Sequence, residues 1–253
     1  MSIINLLKRK LSVSQKLKIK SFFAYFLKND LNKLASIFGS DKYGWHFYTE
    51  HYMTHFEKFK NKPVKILEIG VGGYENPKEG GNSLRMWKAF FAKGTVFAID
   101  IYDKSIHNEN RIKIFQGSQA DREFLEKVTL ETGELDIIID DGSHLNEHII
   151  ETFKILFPKL KDGGIYVIED IQTSYWDNMG GDSKDLKNQK TAMNFLKSLT
   201  DCLNYSEFLI PNYEPSYYDK KIISIHFYHN LVFIYKGNND EKNIFIENGK
   251  LHL

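Results

Sequence analysis

Two hydrophobic rhythms divide this chain. Up to about residue 60 the apolar positions recur three and four apart, as in Leu31, Leu34, Ala35 and Phe38, with Gly39 as the stop. That spacing predicts helices. From Val64 the rhythm becomes short apolar runs separated by helical stretches. Strands are predicted at 64–69, 95–100, 112–116, 135–140 and 164–169, and helices at 83–91, 121–130, 144–157 and 185–200, with Pro158 ending the third helix. Apolar runs alternating with helices make a parallel sheet covered on both faces. The end of the chain differs. Ile222 to Tyr228 and Leu231 to Lys236 are separated only by His229-Asn230, a hairpin signal. The expected architecture is α/β: a doubly wound, mostly parallel seven-stranded sheet closed by an antiparallel C-terminal hairpin. A helical arm and lid over 1–60 precedes a catalytic domain over 61–253.

Composition changes this picture little. With 42% hydrophobic and 26% charged residues in 253, the chain suits one large α/β domain with a modest appendage. A formal net charge of +1 supplies no basic field for nucleic acid. Cys202 is the single cysteine, which excludes an internal disulfide and any CxxC metal site and fits a reducing, cytoplasmic compartment. Its amphipathic surroundings read as buried filler rather than a nucleophile. No apolar run is long enough for a membrane-spanning helix. Residues 1–28 are basic and amphipathic, with Leu6, Leu7, Leu11, Val13, Leu17 and Ile19 among lysines. Lysines interrupt any apolar region, so a signal peptide is not expected. The segment reads as a helix packed on the domain or on another subunit, a route to a homo-oligomer, with a membrane-surface helix as the alternative.

The candidate chemistry begins at Val64 to Arg85. A strand runs into the glycine turn Gly70-Val71-Gly72-Gly73, and a helix resumes from Ser83. Open α/β sheets build nucleotide pockets in this way. A dinucleotide needs a helix N-terminus directly after the turn for its pyrophosphate. Here Tyr74 to Gly81 delays the helix, and the pattern is Glu-x-Gly-x-Gly-Gly. S-adenosylmethionine has no phosphate. It needs the turn (Glu68, Gly70, Gly72, with Ser83) against its amino-acid part and an acid at the end of the second strand for the ribose hydroxyls. Asp100, followed by Ile101, supplies that acid. Ser118 and Gln119 at the end of the third strand would lie by the adenine. Asp100 and Asp121 also read as helix caps.

The fourth strand ends Asp140-Asp141-Gly142-Ser143-His144 and the fifth ends Glu169-Asp170. Neighbouring strands lie ~4.8 Å apart, so these acids converge at one mouth. Crowded carboxylates repel unless protonated or metal-bound, and an all-oxygen set suits Mg²⁺. Asp141, Glu169 and Asp170 are the expected ligands, with Asp140 facing the cofactor or lying behind the ligands. The alternative is that these acids cap the following helices. His144, with Ser143 as cap, is expected to open the helix 144–157. A helix N-terminus and a dication would both disfavour its charged form and leave it a general base; the alternative is a surface histidine. The polar–aromatic stretch Ser40 to Tyr52 reads equally as a lid or as a packing cluster. Tyr48, His51 and Tyr52, with Tyr175 from a polar and mobile loop Tyr175 to Lys190, are the candidate substrate contacts.

Taken together, Asp41-Lys42-x-Gly, His46-x-Tyr48-Thr49-x-His51-Tyr52, LEIGVGGYENPKEGGNSLRMWK, AIDIYDKS, IIIDDGSH and VIEDIQTSYW resemble the metal-dependent class I S-adenosylmethionine O-methyltransferases acting on sugars, close to the macrolide-sugar enzymes of antibiotic pathways. The resemblance covers roughly residues 38–180. It implies a Rossmann-like methyltransferase fold, Mg²⁺ on Asp141, Glu169 and Asp170, and His144 as base. The N-terminal part is shorter than the auxiliary domain of the macrolide enzymes. Abundant Lys, Asn, Ile and Phe suggest an A/T-rich bacterial genome. Both point to a nucleotide-activated or surface-glycan sugar, such as a capsular heptose, as acceptor. The rival readings are an NAD-dependent oxidoreductase on a sugar nucleotide and a non-catalytic cofactor-binding scaffold.

Overall fold

A computed structural model describes residues 12–247 and 249–252; Leu6, Leu7 and Leu11 of the basic segment lie outside the described residues. Ser12 caps helix α1 (Val13–Leu27) in a capping box with Gln15. One side of α1 buries Ala24, while Phe22, Phe23, Tyr25 and Phe26 stay exposed. Helix α2 (Leu31–Phe38) is capped by Asp30 and stopped at Gly39, whose φ of 80° is left-handed. Its four spaced apolar residues are all buried, as the periodicity predicts. Helix α3 (Thr49–Phe56) follows the aromatic stretch.

The sheet then unfolds in order: β1 (Lys65–Ile69), α4 (Asn82–Phe90), β2 (Thr95–Asp100), β3 (Ile112–Gln116), α5 (Arg122–Thr132), β4 (Leu135–Asp140), α6 (Asn146–Leu156), β5 (Leu160–Glu169), α7 (Ala192–Cys202), α8 (Tyr217–Lys221), β6 (Ile222–Tyr228) and β7 (Leu231–Lys236). Strand order is β3-β2-β1-β4-β5-β7-β6. β1 to β5 are parallel; β7 runs antiparallel to both β5 and β6. The winding reverses between β1 and β4, the point where open α/β sheets take ligands. Alternate strand residues feed two cores. Ile66, Val96 and Ile139 meet α2, α3 and α4 on one face, and Leu67, Ile138 and Ile168 meet α5, α6 and α7 on the other. The helices of residues 31–56 therefore share a core with the sheet.

Two helices start later than the pattern suggests. The one expected at 144 begins at Asn146, with Leu145 at its cap position and no side-chain cap; the one expected at 185 begins at Ala192. Buried Asn146 explains part of the second difference. Its amide donates to the carbonyls of Thr173 and Met179 and accepts from the Ala192 N–H. Asp182 in turn accepts from the N–H groups of Lys184 and Asp185. The segment expected to be mobile is thus tied down at several points. Cys202 is half-buried and burial pushes its thiol up to about 12, which fits filler rather than a nucleophile. No helix among the described residues is long and apolar enough to cross a membrane.

The face under α3 holds a buried histidine. His55 pairs its Nδ1 with the Tyr235 hydroxyl at 2.6 Å and its Nε2 with the Tyr228 hydroxyl at 2.9 Å. Burial, then the neighbouring His226, His51 and Lys58, lower its pKa to about 4. The unfolded chain, near the ordinary 6.5, takes the proton first. Stability is therefore full above about pH 6.5 and lost as pH falls toward 4. A loss of about 2 kcal/mol across that window, less than the full shift would give because nearby solvent screens the ring, is expected in guanidinium melts, and His55→Gln should flatten it.

Candidate active site

The glycine turn is shaped by its neighbours before any ligand is considered. Gly70 has a φ of 96°, and a Cβ there would stand 2.1 Å from the backbone oxygen of Asp141. The end of β1 thus presses directly on the end of β4, and only glycine fits. Asp100 closes the turn from β2: one carboxylate oxygen accepts from the Val71 N–H at 2.9 Å and the other from the Tyr102 N–H at 2.9 Å. It caps no helix, and each oxygen retains lone pairs for hydroxyl donors. Gly72, Ile101 and Ser118 lie along the same lip; Ile101 is exposed, and Ser118 accepts from the Ala120 N–H. Asp121 is the cap of α5. Helix α4 starts only at Asn82, yet its cap residue Gly81 donates to the Val71 carbonyl at 2.8 Å, so the intervening residues fold back and bring the helix end against the turn.

Four residues expected at the cofactor are held by other protein groups. Glu68 is fully buried, and its Oε2 accepts from the Ser83 hydroxyl at 3.0 Å. Buried Gln119 donates to Asp140 Oδ1 and to Thr152, and its oxygen accepts from the Ser143 N–H at 2.7 Å. Glu68, Ser83, Gln119 and Asp140 therefore brace the loops that carry the site. Burial pushes both Glu68 and Asp140 up to about 7.

The centre of the acid cluster is a lysine. Lys42 is buried, and its ammonium donates to Asp141 Oδ2 at 2.6 Å and to Glu169 Oε1 at 2.6 Å, and lies 3.3 Å from Glu68 Oε1. Tyr52 donates a short hydrogen bond to the same Glu169 oxygen. Burial opposes the charge on Lys42, but Asp141, Glu169 and Glu68 together hold its pKa well above the ordinary lysine value. Burial and the charge of Asp141 push Glu169 upward too, against the bonds from Lys42 and Tyr52. Lys42 keeps its charge because three carboxylates converge on it. Three acids converge on one ammonium, and burial first, with the charge of Asp141 second, favours a proton on Glu169.

Asp141 belongs to a second, more open group. Its Oδ1 lies 4.0 Å from His144 Nε2, which lies 3.8 Å from Asp170 Oδ2. Tyr48 donates to Asp170 Oδ1 at 2.7 Å, and His46 Nδ1 is 3.7 Å from that oxygen. Burial would raise Asp170, but the Tyr48 hydrogen bond and the nearby His144 and His46 lower it overall. Glu68, Asp141 and Glu169 place oxygens within 4.8 Å of one another, as do the ligand atoms of Asp141, His144 and Asp170. The expected ligand trio is therefore divided between two adjoining groups that share Asp141.

Backbone strain gathers here. Among the described residues, six non-glycine residues have positive φ, and three of them are His144 at 56°, Asp170 at 54° and Asn230 at 61°. His144 sits in a left-handed turn before α6, not in the first turn of a helix. The helix-terminus half of the argument for its neutrality is thus removed.

The aromatic stretch splits by side. Lys42, Tyr48 and Tyr52 point inward and are buried, while Trp45 is 88% exposed and Phe47 67%. It is a packing cluster on one side and an open loop on the other. Tyr52 is a core residue without a free face, and His51 stacks on Tyr228 with centroids 3.8 Å apart. Tyr175 is partly exposed and lines a cavity beside Asp170.

No family model matches the chain. The mycinamicin VI 2''-O-methyltransferase of Micromonospora griseorubida is 46% identical over 219 residues, 86% of this chain and 55% of that one. The 8-demethyl-8-alpha-L-rhamnosyl tetracenomycin-C 2'-O-methyltransferase of Streptomyces olivaceus is 44% identical over 207 residues, 81% of this chain and 54% of that one. Among solved structures, the MycE methyltransferase of mycinamycin biosynthesis, in complex with Mg and SAH, superposes with a TM-score of 0.83 at 46% identity, covering 85% of this chain and 56% of that one. The chain spans about half the length of the curated relatives it matches.

Proposed function

The chain is a relative of the macrolide-sugar O-methyltransferases, and on that premise we propose that it transfers the methyl group of S-adenosylmethionine to a sugar hydroxyl with Mg²⁺ as the metal. The observation that carries this reading is the meeting of Asp141, His144 and Asp170 beside the glycine turn, where the sheet reverses its winding. The similarity to enzymes that modify macrolide and rhamnosyl tetracenomycin substrates supports a glycoside sugar. It gives the expected capsular heptose no support.

The donor set fits a hard dication. Asp141 Oδ1 and Asp170 Oδ2 face a common space around His144 Nε2, and a third acid, Glu169, stands behind them on Lys42. Mg²⁺ takes one or two protein carboxylates and fills its remaining positions with water or substrate oxygens. Asp141 and Asp170 are the ligands we assign. Glu169 backs them, with Oε1 held by Lys42 and Tyr52. When bound, the metal would supply Lewis acidity toward an acceptor hydroxyl.

The chain's own residues do the rest. Asp100 and the lip at Gly72, Ile101 and Ser118 hold S-adenosylmethionine. His144 Nε2 accepts the hydroxyl proton, the acceptor oxygen bonds to the methyl carbon, and the carbon–sulfur bond breaks to leave S-adenosylhomocysteine. Alignment of donor and acceptor supplies most of the acceleration.

The test is transfer of labelled methyl from S-adenosylmethionine to neutral glycosides and sugar nucleotides, with and without EDTA. Transfer that stops in chelator and returns with Mg²⁺ is expected. Undiminished transfer in chelator would discard the metal, and no transfer to any sugar would discard the acceptor class.

A further inference from the structure

Helix α1 is apolar on two sides. Its inner side packs Ala24 into the core that α2 shares with the sheet, and Lys20 donates to the Phe38 carbonyl at 3.1 Å. The outer side carries Ile19, Phe22, Phe23 and Phe26, the last three standing three, four and seven residues after the first. That spacing sets them on one face of the helix, a different face from that of Ala24. All four are exposed, Phe22 at 63% and Phe26 at 67%. Their rings meet edge to face. The Phe22 centroid lies 5.7 Å from that of Phe23 and 5.3 Å from that of Phe26, and Tyr25 lies 5.4 Å from Phe26. The rings thus form one continuous patch rather than scattered single residues. A helix apolar on both sides ordinarily has both sides covered.

Charge indicates the occupant. Residues 1–28 hold seven of the chain's 34 basic residues and none of its 33 acids, which leaves the remainder with 27 basic against 33 acidic. The near-zero net charge therefore hides a strongly basic segment on a mildly acidic body. Lys16 and Lys18 are exposed and stand on either edge of the aromatic stripe. Lysines bordering exposed aromatic rings match the boundary of a bilayer with anionic headgroups. The rings enter the interfacial layer, and the lysine stems carry their ammonium groups back to the phosphates. A second copy of α1 matches less well. It has no acid to meet Lys16 and Lys18, so pairing two such helices gathers like charges.

We propose that α1 docks the protein on an anionic lipid surface, lying flat with Ile19, Phe22, Phe23 and Phe26 in the interfacial layer and Lys16 and Lys18 among the headgroups. The stripe spans about 10 Å along the helix axis, which suits a helix parallel to the surface. The two readings of the basic segment then describe its two sides, one held by the domain and the other by lipid. The inference concerns where the protein sits and stands independently of methyl transfer.

Flotation of the full chain with vesicles tests it. Recovery with vesicles of phosphatidylcholine and phosphatidylglycerol is expected. Binding to phosphatidylcholine alone should be at least about tenfold weaker, and high salt should weaken the anionic case toward it. Phe22→Ser combined with Phe26→Ser, both at exposed positions, should weaken anionic binding at least about tenfold. Lys16→Glu combined with Lys18→Glu should do the same. Both pairs should keep the wild-type melting temperature, and the glutamate pair decides the matter should the serine pair fail to fold. Equal binding to both kinds of vesicle would overturn the anionic assignment. Anionic binding that both pairs retain would take the contact away from α1. Absence of any vesicle binding overturns the proposal, and a dimer in light scattering that the serine pair dissociates would then give this face to a second copy.

Discussion

His144→Asn is expected to lower kcat by about 10²–10⁴, the usual worth of a positioned general base. Asparagine is the informative replacement because His144 holds a φ of 56°, which asparagine tolerates better than alanine. The turn between β4 and α6 should survive, and with it the Asp141 backbone contact with Gly70. The affinities for S-adenosylhomocysteine and Mg²⁺, measured by calorimetry, should stay at wild-type levels, and KM for the acceptor should change little. The metal readout matters because the imidazole and two carboxylates are close enough to share one ion. Mg²⁺ prefers oxygen donors, so a proton acceptor is the role we assign. A variant that loses metal affinity in step with turnover would make His144 a ligand instead. Turnover within a few-fold of wild type would remove it from the reaction.

Lys42→Met should cost about 3–5 kcal/mol of folding stability at pH 8, read from chemical denaturation in chelator. Methionine fills the same unbranched volume, so the change isolates the charge. Without the ammonium, Glu68, Asp141 and Glu169 lose the cation on which they converge. Carboxylates in that setting bind protons more tightly folded than unfolded. The variant's stability should therefore rise as pH falls from 8 toward the ordinary carboxylate range, and its deficit should shrink. Glu68, near 7 even with Lys42 present, already shows the tendency. A deficit below about 1 kcal/mol at pH 8 would mean that Lys42 does not anchor the cage. Lys42 also fixes one oxygen of Asp141 and thereby turns the other toward His144. Metal binding by the variant should weaken accordingly if the two groups are coupled through Asp141.

The reading from residues alone reached the sheet, its winding and the glycine turn at the end of its first strand. Those features are written in local terms: apolar runs with period two or near-continuous, helical spacing such as Leu31, Leu34, Ala35 and Phe38, glycines at a strand end. Backbone geometry acts on such patterns directly. It also brought Asp141, His144 and Asp170 to one mouth, because parallel neighbouring strands end side by side whatever the side chains do.

What the sequence could not decide was who faces whom inside that mouth. Asp41-Lys42-x-Gly shows a lysine among polar and aromatic residues, and nothing local says that its ammonium is buried among three acids contributed by three different strands. Glu68 and Gln119 sit where a cofactor contact would sit, yet burial turns them inward to Ser83, Asp140 and the Ser143 amide. The start of α6 moved as well: the Ser143 N–H goes to Gln119 and His144 turns left-handed, so the helix begins only at Asn146. Periodicity records the face a residue is given. The partner it finds there depends on contacts between distant segments, and those exist only once the chain has folded.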